Sequence, residues 1–276
     1  MNRSELGAAL RALRRSSGKE AKAVARGAVM SASKLSKIET GRLSPSADDV
    51  DRILSAVGVS DEVRAEYADV ARSVATEATA WRLIQRAGLD KAQRHLRETE
   101  ARTSLLRVFQ PALVPGLLQT PEYARAVLSR HRDLSAETVR RTLGARLERQ
   151  EALYDQGRAF RFVLTEAVLT WEIVPPLVLA GQLDRLAAVS RLPNVDVRVV
   201  PRAGPKHDFA NHPFVVHDRR AARVEATHAE IVVTDPRDVA LYVEKFEGFA
   251  ERAVGGVELA ARLESVRAEV LGQPGP

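Results

Sequence analysis

Four of the chain's six histidines fall late, at His207, His212, His217 and His228, with Asp208 and Asp218 beside them. Imidazole and carboxylate together suit zinc or a non-haem metal. The spacing fits no ligand motif, and two of these histidines would lie along one strand or its loop. Loop capping, or a pocket wall for an effector, is the reading, with no metal and no cofactor. Glu166 follows a strand pattern and has the chemistry of a general acid or base. No partner carboxylate accompanies it, so a structural hydrogen bond is expected. There is no glycine-rich phosphate loop, no nucleophile-elbow phrase around a serine, and no cysteine to serve as nucleophile or metal thiolate. These residues predict a protein that is not an enzyme.

A second set is short, polar and basic. Val29-Met30-Ser31-Ala32-Ser33-Lys34-Leu35-Ser36-Lys37-Ile38-Glu39-Thr40-Gly41-Arg42 reads as the turn and second helix of a helix-turn-helix. Ser31 caps the helix by accepting from a backbone N–H that the first turn leaves free. Leu35 and Ile38, three apart, share one face and point into a small core. Gly41 ends the helix where a left-handed residue is wanted. A short helix with small polar and basic residues near its N-terminal end has the shape that enters a DNA major groove. On this reading Ala32, Ser33 and Lys37 face base edges, while Lys34, Arg42, Lys19 and Lys22 reach phosphates. The alternative is a helical module that binds only another protein.

Charge placement supports the first reading. Residues 1–47 hold ten Lys and Arg against three acids, a surplus of seven, whereas the whole chain of 276 residues carries +6. The remainder is therefore close to neutral at −1. A local basic footprint favours phosphate binding. Apolar content of 45% and charged content of 28% are those of a soluble globular protein long enough for two domains. No run approaches the roughly 18 apolar residues a membrane helix needs. No signal-peptide core stands at the N-terminus, and a cytoplasmic protein is expected.

Those side chains need elements to hold them. Leu6, Ala9, Leu10 and Leu13 form one helical stripe over 5–16, and a second helix over 19–27 buries Val24 and Ala25. Ser46 with Asp49 resembles a capping box, ahead of Val50, Ile53, Leu54 and Val57 at helical spacing. Another helix starts at Ser60-Asp61-Glu62. These five helices predict an all-α domain over 1–75. Residues 76–110 are helical in pattern and read as a connector, with Trp81, Ile84, Leu89, Leu96 and Leu106 as anchors. Beyond them Thr120 caps a helix with Pro121 at its first position. A long helix follows over 135–156, capped by Ser135. Segments 160–165, 195–200, 214–217 and 229–234 read as strands. Helices are expected over 176–189, 236–249 and 256–270. The fold class is thus an N-terminal all-α helix-turn-helix bundle followed by a larger α+β domain, 111–271, with a small mixed sheet. Residues 272–276 read as a disordered tail.

Residues 5–60 resemble the Xre, or lambda-repressor-like, helix-turn-helix family, on the phrase Ser33-Lys34-Leu35-Ser36-Lys37-Ile38-Glu39-Thr40-Gly41 followed by Pro45-Ser46. Val29 stands where that family usually carries Gly in the turn. A β-branched residue at positive φ is costly, which predicts a turn that differs or shifts toward Gly27. Ala21 replaces a Gln that often bonds a phosphate. Pro115-Gly116-Leu117-Leu118-Gln119-Thr120-Pro121-Glu122-Tyr123-Ala124-Arg125-Ala126 resembles the signature of a C-terminal domain of unknown function found behind such helix-turn-helices, mainly in actinobacteria. Arg146, Arg149-Gln150, Leu164-Thr165-Glu166-Ala167 and Pro193-Asn194-Val195 match its later pattern. The resemblance implies a DNA-binding transcription regulator of antitoxin-like type that works beside a small protein encoded by an adjacent gene. A homodimer is expected, because one short recognition helix supplies little affinity and paired half-sites supply the rest. The small-molecule effector is left unidentified.

Overall fold

A computed structural model of the chain describes residues 3–74, 76–130, 134–204 and 208–272. His207 and residues 273–276, and the side chain of Trp81, lie outside the described residues. The chain divides into two compact units: Met1–Ala78 with Ile231–Val239, and Thr79–Glu230 with Ala240–Pro276.

The first unit contains α1 (Arg3–Ser16), α2 (Ala21–Gly27), α3 (Ala32–Glu39), α4 (Ala47–Val57) and α5 (Asp61–Val74). Its core is Leu6 and Leu10 of α1, Val24 and Ala25 of α2, Leu35 and Ile38 of α3, and Val50, Ile53, Leu54 and Val57 of α4. These are the residues that recur at three- and four-residue spacing, and each fully buried leucine or isoleucine contributes about 1.5–3 kcal/mol. The expected caps are present. Ser31 Oγ accepts from Lys34 N at 3.1 Å, and Ser46 and Asp49 form a reciprocal capping box.

The turn does not shift toward Gly27. Val29 itself adopts φ 52°, with its side chain 79% exposed. Hydrogen bonds from Val29 N to Arg26 O and from Met30 N to Ala25 O close the end of α2 and fix this conformation. Gly27 serves packing instead, since a Cβ there would lie 3.0 Å from the Ala56 Cβ of α4. Left-handed backbone costs a non-glycine residue about 1–2 kcal/mol. Because Val29 buries so little, Val29→Gly is expected to stabilise the first unit by about 0.5–1 kcal/mol, after the unfolded-chain entropy of glycine is subtracted. A denaturant midpoint that falls, at unchanged slope, would contradict this.

Next come β1 (Thr76–Ala80), α6 (Trp81–Ala87), α7 (Leu89–Ala101) and β2 (Leu105–Gln110). The segment 76–110 reads as helical in the sequence, and strands at both of its ends, β1 and β2, correct that expectation. Leu105, Leu106, Val108 and Phe109 are β-forming residues packed on both faces of a sheet, so a short apolar run there carries neither period cleanly. The remaining elements are α8 (Pro121–Ser129), α9 (Ala136–Arg149), β3 (Ala159–Thr165), α10 (Ala167–Thr170), α11 (Pro176–Val189), β4 (Val195–Val200), β5 (Phe214–His217), β6 (Ala221–Glu225), β7 (Ala229–Val233), α12 (Pro236–Glu251) and α13 (Gly256–Gly272). Gly272 closes α13 rather than opening a tail.

Strand order is β1-β7-β6-β5-β2-β3-β4. β2 pairs with β3, and β3 with β4, in parallel; β5 is antiparallel to both β2 and β6. The sheet is mixed, as expected, and larger than the four strands legible in the sequence. One face meets α11 and α13 through Leu106, Val108, Phe160, Phe162, Val197, Leu183 and Leu263. On the other, Phe109 stacks on Phe249 of α12 at 4.4 Å. Arg107 and Arg161 on the same face hold Glu247 of α12 at 3.1 and 2.7 Å. Among the described residues no helix is long and apolar enough to cross a membrane.

Candidate nucleic-acid interface

α3 has two faces. Leu35 and Ile38 are fully buried, whereas Ala32, Ser33, Ser36, Lys37 and Thr40 are exposed. Serines 33 and 36, Lys37 and Thr40 fall at positions i, i+3, i+4 and i+7, a single stripe down the outside of the helix. The stripe is short, uncharged except at Lys37, and free of bulky groups that would hold it away from a groove.

Contacts between helices, which the sequence reading did not identify, set the angle at which that stripe is presented. Arg14 of α1 donates from Nε to Glu39 Oε1 at 2.6 Å and from Nη2 to Oε2 at 2.8 Å, a bidentate pair with Glu39 buried. Hydrogen bonding to Glu39 raises the Arg14 pKa and keeps it charged. Gly7 of α1 lies against the end of α3 so closely that a Cβ would sit 2.3 Å from Ile38 O. Its signal in the sequence is a glycine in the middle of an amphipathic helix, where it costs about 1 kcal/mol relative to alanine and needs a packing reason. After α3, Gly41 turns the chain at φ 67°.

Of the phosphate-contact candidates, two hold partners within the chain. Lys34 Nζ lies 2.7 Å from Asp49 Oδ1, an oxygen that Arg52 also reaches at 2.9 Å. Asp49 thereby ties α3 to the start of α4. Lys19 Nζ donates to Ala56 O at 2.8 Å. Lys22 and Arg42 are exposed, as is Arg26 between them in sequence.

The late histidines are apart from one another in role. His217 is buried on β5, with Nδ1 3.1 Å from Thr103 Oγ1. Burial, with Arg223 and Arg220 nearby, pushes its pKa down to about 4, so it is neutral near pH 7. His212 packs beside Phe214 and Tyr242. His228 is exposed. Among the described residues no three His, Asp or Glu side chains gather to hold a metal. Glu166 makes structural contacts: Oε2 accepts from Arg202 N at 2.5 Å, and Oε1 pairs with Arg262 of α13.

A capped turn joining α2 to α3, with α3 amphipathic and its outer stripe exposed, defines a helix-turn-helix domain, and residues 5–67 match that family's description. The chain belongs to the family described as Domain of unknown function (DUF5753), which matches residues 93–265. No curated protein matches the chain. Among solved structures, TrmBL2, described as an archaeal chromatin protein with a novel mode of DNA binding, is 11% identical over 75% of this chain and 66% of its own, with a TM-score of 0.34. This protein thus spans a little under two thirds of that one. The phospholipase D family member Nuc from Salmonella typhimurium is 9% identical over 66% of this chain and 97% of its own, with a TM-score of 0.34. NucT from Helicobacter pylori is 11% identical over 66% and 98%, with a TM-score of 0.37. Likeness at these scores carries no argument about fold or function.

Proposed function

We propose that the protein is a sequence-specific, DNA-binding transcription regulator of Xre type that acts in the cytoplasm as a homodimer. Its C-terminal domain decides when DNA is bound, by taking up an effector or, in the antitoxin-like manner, a small partner protein from an adjacent gene. The observation that carries this reading is the exposed stripe of α3, set on a helix clamped from behind by Arg14–Glu39. Ala32, Ser33 and Lys37 then meet base edges. Phosphate contacts fall to Lys22, Arg26 and Arg42, because Lys34 and Lys19 are engaged within the chain.

Three phosphate contacts per subunit, six per dimer, predict that log K falls against log salt with a slope of about −5, a loss of roughly 10³ in affinity between 50 and 200 mM. Fluorescence anisotropy of the full chain on labelled promoter duplex measures it. A flat salt dependence, or no binding at low salt, would end the DNA reading. The pairing of Lys34 and Lys19 favours a second reading, a protein-only interaction module, and the same flat result would support it.

Lys37 is the exposed cation of the stripe, and Lys37→Ala is expected to cost about 1–3 kcal/mol of discrimination at one base pair while leaving the salt slope nearly unchanged.

A further inference from the structure

A carboxylate is the group a DNA backbone repels, yet one sits against the N-terminal end of α3. Asp49, in the first turn of α4, is buried, and three donors converge on it. Lys34 Nζ lies 2.7 Å from Oδ1, and Arg52 Nη2 lies 2.9 Å from the same oxygen. Ser46 N donates to Oδ2 at 3.3 Å. Arg52 also reaches Asp48 Oδ2 at 3.0 Å. Two cations thus face two acids, and the cluster as a whole is neutral.

The bond to Lys34 is more than the fold of α4 requires. The capping box uses Asp49 Oδ2, and Arg52 already compensates the charge on Oδ1. Lys34 stands in the first turn of α3, the end of a helix where the dipole disfavours a cation. One residue is about 100° of helical turn, so Lys34, next after Ser33, borders the exposed stripe of α3. Its side chain is 38% exposed, and lysine is a point charge on a flexible four-carbon stem. On the DNA reading that ammonium has two anions to choose between, a phosphate beside the groove and Asp49. The structure shows it on Asp49. Asp49 is shielded from solvent, so its attraction is screened less than that of an exposed phosphate. Withdrawing Lys34 would also leave Arg52 alone against Asp48 and Asp49, a net negative charge beside a polyanion.

We infer that Asp49 is a latch on Lys34: it competes from within the chain with DNA phosphate for that ammonium, and so sets how tightly the domain holds DNA of any sequence. The inference rests on the regulator reading above and adds to it a determinant of affinity. Phosphate contacts position a protein on the duplex and carry no sequence information. Holding Lys34 back therefore lowers affinity for every duplex alike and leaves base readout to the stripe of α3.

The test is fluorescence anisotropy of the full chain on promoter duplex and on a scrambled duplex of equal length, from about 50 to 200 mM salt. Asp49→Asn is close to isosteric, and its amide oxygen still accepts from Ser46 N. One freed lysine per subunit adds two phosphate contacts per dimer, so the slope of log K against log salt should steepen from about −5 to about −7. Affinity at about 100 mM salt should rise roughly 10–60-fold on both duplexes. Lys34→Ala alone should leave the wild-type slope in place, and Asp49→Asn combined with Lys34→Ala should return to it. An unchanged slope in Asp49→Asn overturns the latch. So does a gain that survives in the double variant, because removal of the acid rather than release of Lys34 would then be its cause. Should Asp49→Asn not fold, Lys34→Ala decides by itself: an unchanged slope bears the latch out, and a slope shallower by about two places Lys34 on phosphate in the wild type and overturns it. Wild type that binds promoter duplex while the variants miss these shifts sinks only the latch. Wild type that binds neither duplex at low salt sinks the regulator reading and the latch with it.

Discussion

Gly7→Ala is expected to destabilise the N-terminal domain by about 3 kcal/mol or more. The added methyl would meet Ile38 O at 2.3 Å and Gly41 N at 3.1 Å, both backbone atoms at the end of the recognition helix. Neither can rotate away as the end of a side chain would. Overpacking a tight site costs typically 1–3 kcal/mol, and more where backbone must move. The gain in helix propensity from Gly to Ala, about 1 kcal/mol, works the other way and is outweighed. A domain of this size has only about 5–15 kcal/mol of stability to lose. The measurement is hydrogen exchange of α1 and α3 amides in the full chain, read beside DNA affinity. Protection equal to wild type in both helices would show that α1 and α3 do not touch as described.

Glu39→Ala is the second large effect, and it acts on the same joint. Removing the carboxylate leaves Arg14, 12% exposed at its side chain, facing α3 with its Lys19 O contact as the remaining partner. Breaking a buried pair from one side costs about 3–5 kcal/mol, mostly because the surviving charge is left uncompensated. The double variant Arg14→Ala, Glu39→Ala should therefore be more stable than Glu39→Ala alone. DNA affinity should fall in both, since the tilt of α3 is lost in both. If the double variant is less stable than wild type by the full sum of the two single costs, the two side chains do not act as a pair.

Both predictions concern contacts that no short-range pattern reveals. Ser31, Ser46, Thr120 and Ser135 could be read as caps because a cap is a local event, decided within three residues. Each accepts from the expected backbone N–H. Strands β3, β4, β5 and β7 were legible as apolar runs rich in β-branched residues. β2 was hidden beside the charged helix α7, and β6, Ala221–Glu225, carries two alanines and a charge pair where β-branched residues would have marked it. The site was legible in its outer half. The exposure of Ser33 and Lys37 follows from helical period once Leu35 and Ile38 are placed inside, whereas Ala32, three before Leu35, is exposed as the first residue of the helix. Arg14–Glu39 spans 25 residues and Lys34–Asp49 spans 15, so each depends on how helices cross. Close approaches at Gly7 and Gly27, on two different helices, belong to that crossing. Val29 is the instructive exception. Its local preference argued against a left-handed turn, and two backbone hydrogen bonds into α2 overrode it.

On the proposed function, α3 reads base edges through Ser33 and Lys37. In vitro selection from a random duplex library, run in parallel with the wild-type chain and with Lys37→Ala, tests it most directly. Wild type should enrich a two-fold symmetric motif with half-sites about one helical turn apart. Lys37→Ala should enrich the same motif with one position per half-site made degenerate. An identical motif from both proteins, or no enrichment by wild type at low salt, would contradict it.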